Sequence, residues 1–199
     1  MRKFYVAFTM LLLAAFGFQA HAQNARVQII HNSGDPAARL VDVLVDGGVA
    51  VERLAYREAT SYVDVPAGDR EIGIAVYDSD EEETTVVGTF NLTLVDGETY
   101  VVMATGVASP DDFAANPDGI STAFDLAVFA GATESGTGTG SEVTTLVYHG
   151  ATDAPAVDVN AGGATVVGDI EYKEFVGLAQ LPADDLFLDI NVAGTATTA

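Results

Sequence analysis

The segment Val27-Gln28-Ile29-Ile30-His31 returns 118 residues later as Thr145-Leu146-Val147-Tyr148-His149, and Asp35 returns as Asp153. A loop two residues shorter then resets the offset to 116, and the match continues in register. Val41-Asp42-Val43 answers to Val157-Asp158-Val159, Gly47 to Gly163, Tyr56-Arg57-Glu58 to Tyr172-Lys173-Glu174, and Pro66-Ala67 to Pro182-Ala183. Ile72, Ile74 and Val76 answer to Leu188, Ile190 and Val192. Pro66 follows Asp42 at a spacing of 24, and Pro182 follows Asp158 at the same spacing of 24. Such constant spacing marks a tandem duplication, so one supersecondary plan must serve twice.

Each copy reads as short β-strands. Val41, Val43 and Val45 alternate with Asp42, Leu44 and Asp46, which turns the valines to a core and the acids mostly to water. Ile72, Ile74 and Val76 alternate likewise, as do Phe90, Leu92 and Leu94. Asp46-Gly47 and Asp96-Gly97 suit hairpins, and Pro66-Ala67-Gly68-Asp69 is a turn by composition. The first copy is expected to place strands near 26–31, 40–46, 49–54, 60–65, 70–77, 85–94 and 99–106. Seven strands with turns every 8–12 residues point to an all-β immunoglobulin-like sandwich. No strong helical period follows residue 22, although a short helical turn near Asp111–Asn116 fits the sequence.

The organisation that follows is a first repeat over 23–106, a linker over 107–142 and a second repeat over 143–199. Ser109-Pro110-Asp111-Asp112 and Asn116-Pro117-Asp118-Gly119 are loop material, Thr122–Ala130 reads as one extra strand, and Gly131–Ser141 as a flexible linker. Nothing in the second repeat matches the strands at 85–94 and 99–106, so its sandwich is incomplete and exposes an edge. Three remedies present themselves: continuation of a longer protein past Ala199, which is the favoured expectation; Thr122–Ala130 filling part of the gap; or a strand from another subunit.

Residues 1–22 have the form of a signal peptide. Arg2 and Lys3 precede a mostly apolar run from Phe4 to Phe18, and Ala20-His21-Ala22 supplies a small-x-small cleavage site. Cleavage leaves 177 of the 199 residues, beginning at Gln23, and takes the net charge from −21 to −23. The expectation is export across the inner membrane, with a secreted or cell-surface product and no membrane insertion after signal removal. An acidic surface of this strength repels phosphates, which excludes nucleic-acid binding by electrostatics. With no cysteine there are no disulfides, thiolate metal sites or cysteine nucleophiles.

His149-Gly150-Ala151-Thr152-Asp153-Ala154-Pro155-Ala156-Val157-Asp158-Val159 closely resembles the opening of a bacterial secreted-domain family, domain of unknown function 4397. Its signature is His-Ala-x-x-Asp-Ala-Pro-Ala-Val-Asp-Val. Tyr56 and the Pro66-Ala67-Gly68 turn resemble its continuation. The first copy departs by two extra residues between His31 and Val41, and the second at Pro182-Ala183-Asp184. The resemblance covers about 140 residues. It implies an Ig-like sandwich repeat of secreted or surface proteins, and it carries no catalytic residues over.

The repeated polar positions His31, Asp35 and Asp42, with His149, Asp153 and Asp158, are the first candidate site. His with Asp four residues on could ligate a metal, but two ligands are too few. The favoured reading packs each histidine at a strand end and bonds each aspartate to loop N–H groups. Asp78, Asp80, Glu81 and Glu82, in the densest acidic run, are the candidate ligands for calcium, although the run lacks the spacing of an EF-hand. Asp111, Asp112 and Asp118 form a second acidic cluster. Gly136-Thr137-Gly138-Thr139-Gly140 precedes no phosphate-binding helix, and no Gly-x-Ser-x-Gly elbow exists. Tyr56, Tyr62, Tyr100, Tyr148 and Tyr172 suit core or cross-strand packing.

These features together lead us to expect a secreted, non-enzymatic repeat module of the cell surface, structural or adhesive, meeting an extracellular or surface ligand. The alternatives are a calcium-stabilised module binding polysaccharide or protein, and a subunit that assembles by strand complementation through an exposed sheet edge.

Overall fold

The computed structural model describes residues 23–78, 83–136, 140–184 and 187–195. Thirteen strands carry the fold: β1 (Asn24–His31), β2 (Leu40–Val45), β3 (Gly48–Ala55), β4 (Val63–Pro66), β5 (Gly68–Asp78), β6 (Glu83–Leu94), β7 (Thr99–Thr105), β8 (Asp125–Ala130), β9 (Glu142–Tyr148), β10 (Val157–Ala161), β11 (Ala164–Ile170), β12 (Phe175–Pro182) and β13 (Leu188–Val192). Among the described residues the remaining regular structure is two single 3-10 turns, Pro36–Ala38 and Pro110–Asp112. The second falls where a short helical turn was expected.

The first unit is a sandwich of two four-stranded sheets, ordered β4-β1-β7-β8 and β3-β2-β5-β6. All pairings are antiparallel except β1 with β7, which runs parallel from Arg26↔Thr99 to His31↔Ala104. The alternation in the sequence produces the core. Val27 and Ile29 from one sheet meet Val41, Val43, Ile72 and Ile74 from the other, with Tyr100 and Val102 closing it. Asp42 departs from the expected pattern of acids in water. It is buried, because its Oδ1 accepts the Arg53 N–H at 2.7 Å across a bulge in β3.

The strand expected over Thr122–Ala130 forms as β8 and lies antiparallel on β7. It therefore covers the outer edge of the first unit's sheet, which extends past residue 106, and pairs with no strand of the second unit. Both faces of β7 are buried: Tyr100 and Val102 belong to the first core, while Val101 and Met103 border a cleft of about 280 Å³ against Leu146, Tyr148 and Phe175 of the second unit. Gly131–Ser141, which reads as flexible linker, is tied at Glu134, whose carboxylate takes Nε and Nη2 of Arg26 at 2.6 and 2.8 Å.

The second unit repeats the plan in reduced form. β11-β10-β13 corresponds to β3-β2-β5, and β12-β9 to β4-β1, with the same antiparallel pairings. Its small core gathers Val157, Val159, Val167 and Ile170, with Val147 and Val176 against them. Backbone exceptions recur at the duplication offset: Asp46, Gly47, Arg53 and Arg57 hold positive φ of 50°, 80°, 51° and 70°, and Gly162, Gly163, Asp169 and Lys173 hold 58°, 81°, 56° and 70°. The duplication is therefore conformational as well as sequential.

Candidate functional site

The repeated polar residues collect where the first strand of each unit runs into its loop. Each histidine ends that strand, and the backbone on both sides of it is tied to the turn before the fourth strand. His31 N–H donates to the Glu58 carbonyl at 2.9 Å and Arg57 N–H donates back to the His31 carbonyl at 2.8 Å. In the second unit His149 N–H donates to Glu174 at 3.1 Å and Lys173 N–H to His149 at 2.9 Å. The positive φ of Arg57 and Lys173 turns the chain to make these exchanges.

The imidazoles are committed in the same way. Nδ1 of His31 accepts the Ser33 N–H at 3.3 Å, so it carries no proton, and Nε2 donates to the Ala38 carbonyl at 2.6 Å. Nδ1 of His149 accepts the Ala151 N–H at 3.4 Å, and Nε2 donates to the Pro155 carbonyl at 2.9 Å. A tyrosine edge meets each ring: His31–Tyr56 at 6.1 Å and 73°, His149–Tyr172 at 6.2 Å and 78°. Burial of His31 lowers its pKa from the ordinary histidine value, and the Ala38 hydrogen bond opposes that shift. The buried ring is therefore neutral and pins the loop.

The aspartates also hold backbone. Asp35 Oδ1 accepts Ala37 N–H at 2.8 Å, opening the 3-10 turn, and Oδ2 accepts Ala108 N–H at 2.9 Å from the segment that leaves β7. Asp158 accepts Asp169 N–H at 2.8 Å on Oδ1 and Gly194 N–H at 2.9 Å on Oδ2, and these bonds hold its pKa below the ordinary carboxylate value. Asp153, the repeat mate of Asp35, is exposed and makes no such bond among the described residues. His31, Asp35 and His149 are thus committed to backbone groups, while Asp153 stands exposed.

Of the calcium candidates, Asp80, Glu81 and Glu82 lie outside the described residues, and Asp78 is placed only as the last residue of β5. Among the described residues no three His, Asp or Glu side chains come together as a metal-holding group. In the second acidic cluster, Asp118 Oδ2 accepts Ala156 N–H at 2.7 Å, while Asp111 and Asp112 sit exposed in the 3-10 turn.

Two features escape a reading of the sequence. Asn116 is buried at the junction of the units; its Nδ2 donates to the carbonyls of Thr152 and Ala154 at 3.2 and 3.0 Å, and its Oδ1 accepts Asp118 N–H at 3.0 Å. The Asn-Pro-Asp-Gly composition signals its turn but not its grip on the second copy. The hydroxyls of Thr105, Tyr148 and Tyr172 are buried near one another without a well-formed hydrogen bond. Burial raises the Tyr148 hydroxyl to about 12 and the Tyr172 hydroxyl above its ordinary value, with Thr105 opposing both shifts.

The second unit also carries an open slot between its sheets. One part, of about 510 Å³, is lined by Tyr148, His149, Asp153, Val157 and Ile190; the other, of about 340 Å³, by Val147, Val159, Leu181, Leu188 and Ile190. The slot is mainly apolar, with a carboxylate at one end.

Residues 25–123 match the family described as Domain of unknown function (DUF4397). The match runs from β1 to just before β8, and the second repeat lies outside it. No curated protein matches the chain.

Proposed function

Residues 25–123 belong to the DUF4397 family, and from that membership we propose that the chain is an exported, non-enzymatic β-sandwich module of the cell surface with a structural or adhesive role. One observation carries the reading: the duplicated polar positions, Asp153 apart, are committed to backbone. Both histidines hold a loop N–H and a loop carbonyl, and Asp35, Asp42 and Asp158 accept backbone amides. Side chains bonded in this way stiffen the strand-to-loop junctions. Stiff junctions let a sandwich present its loops and edges in fixed positions, which is what a display or adhesive module needs. The acidic charge keeps such a surface soluble through self-repulsion.

Fractionation of a bacterium expressing the full chain tests export, with a product that starts at Gln23 outside the inner membrane as the expected result. Beads coated with that product should adhere to cell or matrix surfaces, while a panel of glycan and peptide substrates stays intact. Turnover of any substrate that one carboxylate substitution abolishes would overturn the non-enzymatic reading.

A further inference from the structure

Each copy turns one side of its first strand to its own core and the other side to its twin. Val27 and Ile29 of β1 lie in the first core, and Val147 of β9 packs against the second. The alternate residues Gln28 and Ile30 line the cleft of about 280 Å³ together with their own repeat mates, Leu146 and Tyr148. At the end of the same row the mates Asn32 and Gly150 touch each other. Asn32 Nδ2 donates to the Gly150 carbonyl at 3.3 Å, and a Cβ at position 150 would collide with that amide.

Contact between a residue and its own mate is the mark of a two-fold axis, because the same patch of both copies then forms the interface. The axis runs along the strands. If β1 and β9 ran in opposite directions from the Asn32–Gly150 contact, Gln28 and Leu146 would each lie four residues away on opposite sides. At about 3.3 Å per residue they would stand roughly 26 Å apart and could not share one small cleft. An axis along the strands also sends the neighbour on one side of β1 to the other side of β9. In the first unit β4 and β7 flank β1 on opposite sides, and β12 answers to β4. β12 accordingly lies over β7 and β8: Phe175 lines the cleft with Val101 and Met103, the Phe129 and Phe175 rings meet at 5.7 Å, and a Cβ on Gly177 would stand 3.0 Å from Cζ of Phe129. Copies strung end to end would instead present unlike surfaces to each other.

We infer that the outer face of this repeat's first strand is a self-recognition surface whose partner is a second copy of the same module, and that the duplication supplies that partner within one chain. The pairing sets both histidine-bearing loops at one end, where the segment after β7 ties them together. Ser33 Oγ donates to the Gly106 carbonyl at 2.6 Å and Asp35 accepts Ala108 N–H in the first unit, while Asn116 holds Thr152 and Ala154 and Asp118 holds Ala156 in the second. The inference concerns how the copies meet and does not depend on surface display.

The chain has no cysteine, so introduced cysteines report contacts cleanly. A Cβ at position 150 would stand 3.1 Å from Cγ of Asn32, one bond from that residue's own Cβ, which is within disulfide reach. Asn32→Cys with Gly150→Cys should therefore close within one chain on mild oxidation, while Gln28→Cys with Gly150→Cys stays reduced. Leu146→Glu puts a charge into the shared face and lies outside the first core, so it should free β1 to take another molecule. In that background Asn32→Cys alone should link two chains, and sedimentation should show a dimer; with Leu146 in place, Asn32→Cys should stay monomeric. Failure of the 32–150 link, or a link that forms only between chains, would overturn the pairing. A Leu146→Glu chain that stays monomeric at high concentration would overturn self-recognition, since the face would then fit the second unit alone.

Discussion

The Nε2–H of His31 lies 2.6 Å from the carbonyl oxygen of Ala38, and this bond anchors the 3-10 turn to the end of β1. Because Nδ1 of the same ring accepts Ser33 N–H, a second proton has no place to go without breaking that contact.

The stability of the fold should therefore respond to mild acid. Burial lowers the His31 pKa below 6.5 in the folded chain, so the unfolded chain binds more protons in the interval between the two values. Stability then rises with pH through that interval and is lost as pH falls below about 6.5. Melting curves from pH 7.5 to 5 should show a falling midpoint. The His31 resonance should titrate below the free-histidine value, and a normal titration would contradict the assignment.

Matched substitutions in the two copies should have unequal costs. Ile74→Ala opens a cavity in a sealed core and should cost about 2–5 kcal/mol. Ile190→Ala, at the same position beside the slot, should cost less than about 1 kcal/mol, since the side chain is already half in water. Chemical denaturation of both variants measures the difference, and equal losses would mean that the second unit is closed.

Glycine at 106 is required by its surroundings. Its φ is +81°, and a Cβ there would sit 2.5 Å from the carbonyl oxygen of Ala123 and 2.7 Å from that of Thr122. Gly106→Ala should destabilise by about 2–4 kcal/mol, as strain and a backbone clash add together. Gly97→Ala, with φ +73° and nothing within 4 Å, should lose only about 1 kcal/mol. Thermal or urea melts separate the two.

The hydroxyl of Tyr148 is buried without a hydrogen-bond partner among the described residues. Removing an unpaired polar atom from an interior relieves its desolvation penalty. Tyr148→Phe should thus leave stability unchanged or raise it by up to about 1 kcal/mol. In the unaltered chain, ultraviolet titration should place this tyrosine near 12. A clear loss of stability in the variant would show that the hydroxyl is bonded.

Much of the fold is legible in the residue order because strands obey a period of two. Val41, Val43, Ile72 and Ile74 stand at alternate positions of their strands, and all four are buried in the core as that alternation predicts. The expected strand bounds lie within a few residues of the observed ones, and the largest differences are at 60–65, where β4 begins only at Val63, and at Thr122–Ala130, where β8 begins only at Asp125. Asp42 breaks the pattern because a bulge in β3 turns an amide toward it, and a bulge has no signature in binary patterning. Glu134 escapes for a related reason: its neighbours are small and polar, yet Arg26, 108 residues away, ties it down.

Local order along the chain, then, decides the strands, the turns and the duplication, since each depends on side-chain period or on residues a few positions apart. Only the assembled sheets decide that β8 lies on the edge of the first unit, that Asn116 grips the loop of the other copy, and that Asp35 has a donor while Asp153 has none among the described residues. Those outcomes rest on contacts between residues far apart in sequence, where pairing and burial depend on which edge the rest of the fold leaves free.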